Sequence, residues 1–217
     1  MMSSMDPVFQ RLGERRLAAV VMIGESSQAV PLARALLAGG ISAMELTLRT
    51  DAALEGLKRI VAEVPEMMVG AGTILTEAQV VEVMKAGAAF GVAPGTNARI
   101  LEASREAGLP FAPGIATPSD IETALEFGCR LLKFFPAEAM GGLEYLEGIA
   151  APYRHLGLRY LPLGGVHEGN LQSYLSSPDI LAVGGSWLAP RTLLESGDWS
   201  GIESLSRRAV GLLGPEE

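Results

Sequence analysis

RLLKFFPAEAMGG, residues 130–142, sets a short apolar run against a loop closed by a proline and two glycines, with Lys133 in the middle of the run. Lysine is almost never fully buried unless something holds it there. Side chains of a strand alternate between two faces, so Leu131, Lys133 and Phe135 share one and Leu132 and Phe134 share the other. The second pair makes a surface for helices to cover. The first then points inward and carries the amine with it.

Seven further runs have the same character: LAAVVMI (17–23), ISAMELTL (41–48), MMVGA (67–71), AAFGVA (88–93), LPFA (109–112), LRYLPL (158–163) and ILAVG (180–184). Between them lie helical patterns such as QAVPLARALLAGG, DAALEGLKRIVAEV, TEAQVVEVMKAG, NARILEASREAG and PSDIETALEFG. Several end in glycine just past the periodic residues, as a helix C-terminus does. Alternating strands and helices are the mark of a parallel sheet. Eight such units, roughly 25 residues apart, match a TIM (β/α)8 barrel. The expected fold is therefore α/β: one barrel domain over 1–217, with a helical extension before the first strand. An open doubly wound sheet would leave two edges and has no need of an eighth unit.

The 217 residues are 48% hydrophobic and carry a formal charge of −8. A negative balance argues against nucleic acid and anionic membrane as partners, since both require clustered positive charge. It leaves room for a small anionic ligand held by a few local donors. The single Cys129 forms no internal disulfide and fits a reducing, cytoplasmic setting, with packing as its role. Leu17 to Ile23 is at the short limit of a signal segment and far too short to span a bilayer, and it reads as the first strand.

In such a barrel the active site lies at the carboxyl ends of the strands. Those ends read TLRT, GAGT, APGT, APGIAT, FFPAEAMGG, PLGGV and VGGSW. Strand parity in SAMELTLR groups Ala43, Glu45, Thr47 and Arg49, so a glutamate and an arginine join Lys133 inside. Thr73 and Thr117 add hydroxyls at neighbouring ends. An interior ion-pair network explains these residues as well as a catalytic site does, and the residues alone leave both readings open. The chain has only three lysines, and Lys58 and Lys85 fall on solvated helix faces. Burial lowers an ammonium pKa and frees the amine to attack a carbonyl, which favours chemistry at Lys133. Gly164, Gly165, Gly184, Gly185 and Ser186 lie in the loops after the last two strands. A barrel of this kind often binds phosphate there through bare backbone N–H groups.

Taken together, LKFFPAEAMGG, VGAGT, ELTLRT, APG, PGIATPSD, GGV and VGGSWL resemble the 2-keto-3-deoxy-6-phosphogluconate (KDPG) aldolases, which also cleave 4-hydroxy-2-oxoglutarate (KHG). The resemblance runs from about Val20 to about Leu213. It implies a cytoplasmic class I lyase, usually a homotrimer and without metal or other cofactor, that splits a phosphorylated 2-keto acid to pyruvate and glyceraldehyde 3-phosphate. It implies that Lys133 forms the Schiff base and that Glu45 moves protons. Arg49 and Thr73 would hold the pyruvyl carboxylate, Pro94 and Phe135 would shape the walls, and Gly164, Gly165 and Ser186 would receive the phosphate.

Two departures stand out. The family commonly reads PTGG before the seventh-strand glycines, where this chain has PLGG with Leu163. The expectation is an altered C4 preference, which brings the 6-phosphogalactonate analogue and KHG into view as substrates. Some relatives also carry arginine just after the first strand, where this chain reads MIGESS, so carboxylate binding rests more on Arg49. A phosphate-binding barrel isomerase is the alternative activity. A metal-dependent epimerase needs histidine and aspartate ligands at several strand ends, and the two histidines, His155 and His167, end no early strand. His167, Glu138 and Trp187 are read as loop or packing residues, and Asp120 and Ser119 as helix-start residues.

Overall fold

The computed structural model describes residues 5–214. In chain order, helix α1 (Pro7–Arg15) is followed by β1 (Leu17–Val21), α2 (Ala29–Ala38), β2 (Ala43–Thr47), α3 (Ala52–Glu63), β3 (Met68–Gly72), α4 (Glu77–Lys85) and β4 (Gly91–Val92). Then come α5 (Ala98–Ala107), β5 (Phe111–Ala112), β6 (Gly114–Ile115), α6 (Pro118–Glu126), β7 (Leu131–Phe134), α7 (Gly142–Ala150), β8 (Arg159–Pro162), α8 (Leu171–Leu175), β9 (Val183–Gly185), α9 (Arg191–Ser196) and α10 (Trp199–Gly211). Every expected run overlaps a strand and every quoted helical pattern contains a helix, while β6 lies outside the expected runs. Side-chain caps start several helices: Thr76 with Gln79 on α4, Asn97 on α5, Thr117 with Asp120 on α6. Each satisfies backbone donors that a helix start leaves free.

All strand pairs are parallel, and the sheet curls. Six strands pair in the order β5-β4-β3-β2-β1-β9 and three in the order β6-β7-β8, so the ladder falls into two sheets rather than the single eight-stranded ring expected. At the junction of β5 and β6 the physical cause is proline. Pro113 has no N–H to donate and separates β5, at the end of the fifth run, from β6, which lies beyond that run, while Pro94 and Pro110 flank the two-residue strands β4 and β5. At the other junction one parallel bridge joins Tyr160 of β8 to Ile180, just before β9.

The hydrophobic interior has two layers. Met44, Leu46, Leu132 and Phe134 belong to the large cluster between sheet and helices. Ala43, Leu131, Leu161, Leu163, Phe90 and Leu181 belong to a second cluster on the inner face of the sheet. Helix α1 supplies Phe9 and Leu12 to that inner cluster, with the Phe9 ring edge-on to Phe90 at 6.3 Å. Gly13 lets α1 approach closely, since a Cβ there would lie 2.7 Å from Leu181 Cδ1. The amino-terminal end of the inner face is thereby filled with hydrocarbon, and what is polar is pushed to the carboxyl end.

Candidate active site

Lys133 and Glu45 meet inside the curled sheet. Lys133 Nζ donates to Glu45 Oε1 at 3.2 Å and Oε2 at 3.4 Å, although 88 residues separate them in the chain. The two residues are only 5% and 2% exposed. Burying both charges is costly, and their mutual attraction offsets that cost only because each supplies the other's counter-ion; removing one partner of such a pair costs about 3–5 kcal/mol. The carboxylate fits because Gly72 of β3 pairs in register with Thr47: a Cβ at Gly72 would stand 1.9 Å from Glu45 Oε1. The ring of Phe135 lies 5.3 Å from the Lys133 amine, within cation–π range.

From this pair β2 continues toward the rim. Thr47 Oγ1 donates to Val21 O at 3.0 Å and accepts from Arg49 Nε at 3.2 Å. The guanidinium is thus held to the strand by a hydroxyl that is itself fixed by β1. Thr73, at the end of β3, has φ 59°, a region that β-branched residues rarely enter and that costs on the order of 1–3 kcal/mol. Pro94 is set by Gly114, where a Cβ would come within 2.2 Å of the Pro94 carbonyl oxygen. The loop after β7 is tied to the loop after β8 by Ala137 N–H to Leu163 O (2.8 Å) and Glu138 N–H to Gly164 O (3.0 Å). The Tyr174 hydroxyl of α8 donates to Glu138 Oε1. Burial and then that carboxylate hold the Tyr174 phenol well above its ordinary range.

These groups line one cavity of about 220 Å³: Glu45, Arg49, Thr73, Pro94, Lys133, Phe135, Gly164, Gly165, Gly185 and Ser186 are all on its wall. Gly184 is not. It pairs with Ala18 in the ladder, and a Cβ there would be 2.2 Å from Leu163 Cδ2, so its missing side chain makes room for Leu163. Thr117 is also elsewhere, spent on the α6 cap with Asp120. Thr47, Val20 and Val166 line the cavity without having been singled out as its residues, and so does Leu163, the departure noted in PLGG. Strand parity had already grouped Thr47 with Glu45 and Arg49, and that was the signal for it. Cys129 lies near α1 at the far end, and burial pushes its thiol up to about 11. Among the described residues no three His, Cys, Asp or Glu side chains gather closely enough to hold a metal ion, and no helix is long and apolar enough to cross a membrane.

A nearly buried amine against a carboxylate, with an arginine and glycine-rich loops on the same cavity wall, is suited to imine chemistry on a small anionic keto acid. Known proteins point the same way. The chain is 45% identical over 191 residues to the 2-dehydro-3-deoxy-phosphogluconate aldolase of Dickeya dadantii, covering 88% of this chain and 89% of that protein. The structure of KDPG aldolase from Legionella pneumophila, with pyruvate captured at low pH as a covalent carbinolamine intermediate, superposes with a TM-score of 0.87. Its sequence is 36% identical, and the match covers 93% of this chain and 96% of that one. The aldolase of Zymomonas mobilis ZM4 with 3-phosphoglycerate gives 0.86 at 37% identity, over 95% and 96% of the two chains. The model of the KDPG and KHG aldolases matches residues 8–205, and the chain belongs to that family.

Proposed function

We propose that this protein is a class I aldolase that cleaves KDPG to pyruvate and glyceraldehyde 3-phosphate, and KHG to pyruvate and glyoxylate, through a Schiff base on Lys133. The observation that carries the reading is the Lys133–Glu45 pair, 3.2 Å apart and almost wholly buried at the wall of a cavity. Glu45 takes a proton from the ammonium, and the free amine adds to the C2 ketone to give a carbinolamine. Loss of water, with protons relayed by Glu45, gives a protonated imine. Glu45 then removes the C4 hydroxyl proton; the C3–C4 bond breaks, its electron pair passes into the imine as an enamine, and the aldehyde leaves. Protonation of the enamine at C3 gives the pyruvate imine, and water releases pyruvate and restores the amine. A carboxylate in hydrogen-bond reach of the amine is the geometry that general acid–base catalysis requires.

Arg49, with Thr73, receives the substrate carboxylate as a charge-assisted fork. Pro94 and Phe135 form the walls, and Gly164, Gly165, Gly185 and Ser186 receive the phosphate. The two sheets are read as one (β/α)8 barrel domain, a reading supported by the position of β5 and β6 on either side of Pro113 and by the Tyr160–Ile180 bridge between the sheets. The working form is a cytoplasmic homotrimer, which light scattering would test at three times the chain mass.

Borohydride reduction in the presence of pyruvate, followed by peptide mapping, tests the mechanism. The expected product is a reduced pyruvyl adduct on the Lys133 peptide. Turnover without any adduct, or an adduct on Lys58 or Lys85 alone, would overturn it.

A further inference from the structure

The cavity around Lys133 continues into a second one of about 460 Å³, with Val20, Arg49, Gly165, Val166 and Ser186 as shared walls. Beyond those walls it is lined by apolar side chains, Met22, Trp187 and Leu194 among them, and by two polar ones: His167, from the loop after β8, and Arg191, the first residue of α9. Among the described residues no Asp or Glu lines it. In a chain of net charge −8, the charged side chains on this wall, Arg49 and Arg191, are both cationic, and a pocket so lined attracts anions.

We propose that Arg191 and His167 form the far end of the substrate site and grip the terminal phosphate of the keto acid beyond the glycine cradle; this rests on the aldolase reading above. Both side chains are built for it. His167 Nδ1 accepts the Gly169 N–H at 3.0 Å, so the neutral ring carries its proton on Nε2 and offers it as a donor. The loop is fixed to the cradle through Asn170, whose Oδ1 accepts the His167 N–H at 2.8 Å and whose Nδ2 donates to Gly165 O at 3.2 Å. Arg191 pairs with Glu195 at 2.6 Å through Nε, which leaves the terminal guanidinium nitrogens as donors. That pair is exposed, and surface pairs of this kind contribute little, so an incoming phosphate displaces it at small cost. KDPG carries its phosphate several bonds past the point where KHG ends in a carboxylate. Only the phosphorylated substrate reaches both residues.

The test compares wild type with Arg191→Ala, His167→Ala and Arg191→Lys on both substrates, and measures 3-phosphoglycerate binding by calorimetry. Arg191→Ala is expected to raise the ratio of the KM for KDPG to the KM for KHG about tenfold, the usual scale of a lost hydrogen bond to a charged group. His167→Ala changes the ratio less, Arg191→Lys restores part of it, and 3-phosphoglycerate affinity falls in step. An unchanged ratio with unchanged 3-phosphoglycerate affinity overturns the assignment, and so does a parallel rise in both KM values. If the wild type turned over neither substrate, the aldolase reading would fail. Calorimetry would then still decide the phosphate grip: lost affinity in Arg191→Ala supports it and equal affinity removes it.

Discussion

Along β2 and β7 the same inward face changes character within a few residues. At the amino-terminal end Ala43 and Leu131 sit in a hydrocarbon cluster with Leu161, Phe90 and the Phe9 and Leu12 side chains of α1. One step further along each strand stand Glu45 and Lys133, and beyond them Thr47, Arg49 and Phe135 open into the cavity. The lower layer contributes stability by removing apolar surface from water. The upper layer spends stability on two charges kept nearly out of solvent. Division of labour by height along a strand means that substitutions at the two ends should fail in different ways.

The largest separation is expected at Lys133→Met. It keeps an unbranched stem in the same space and removes the amine, so cleavage should fall on the order of 10³-fold or more, as when other covalent nucleophiles are lost. Pyruvate trapping should vanish while circular dichroism shows a folded chain. Residual turnover above a per cent would break the claim that the upper layer is the chemical one. Glu45→Gln sharpens it: the shape stays, the proton acceptor goes, and kcat should drop about 10²- to 10⁴-fold. Trapping of the Lys133 adduct should slow yet persist, because the nucleophile is intact. At the other end, Leu12→Ala leaves a void against the inner cluster and should lower unfolding free energy by about 2–5 kcal/mol in urea titration. Its kcat at a temperature where it is folded should match wild type; a loss of kcat there would mean the layers are not independent.

Much of this was legible because alternation in a strand is rigid. Once RLLKFF and SAMELTLR are strands, parity alone sends Lys133, Glu45 and Arg49 to one face. What parity does not give is the company each side chain keeps. The hold of Thr47 on Arg49 depends on rotamers, and Tyr174 reaches Glu138 across 36 residues through the packing of α8. Glycine is ambiguous for a related reason. Gly184 and Gly185 read alike in VGGSW, yet Gly185 borders the cavity while Gly184 is a gap filled by Leu163. Proline misleads in the same way: Pro113 looks like a loop signal, yet short strands lie directly on both sides of it, β5 before and β6 after.

Leu163 is where the apolar lower layer intrudes into the chemical one. It is 3% exposed, belongs to the inner cluster, and still lines the cavity beside Gly164. A branch of hydrocarbon there offers the substrate's hydroxyls nothing to bond, and so it cannot discriminate by hydrogen bonding between C4 epimers. Leu163→Thr places a hydroxyl on the same wall and thins the contact with Gly184, whose missing Cβ the leucine now fills. The ratio of kcat/KM for KDPG to that for its 6-phosphogalactonate epimer should change about tenfold, the range in which one polar contact in a pocket discriminates. Stability should fall as well, since two buried carbons give way to one hydroxyl oxygen against the inner cluster. If the epimer ratio stays fixed while only stability moves, Leu163 belongs wholly to the lower layer, and the boundary between the two ends lies closer to Lys133 than its position on the wall suggests.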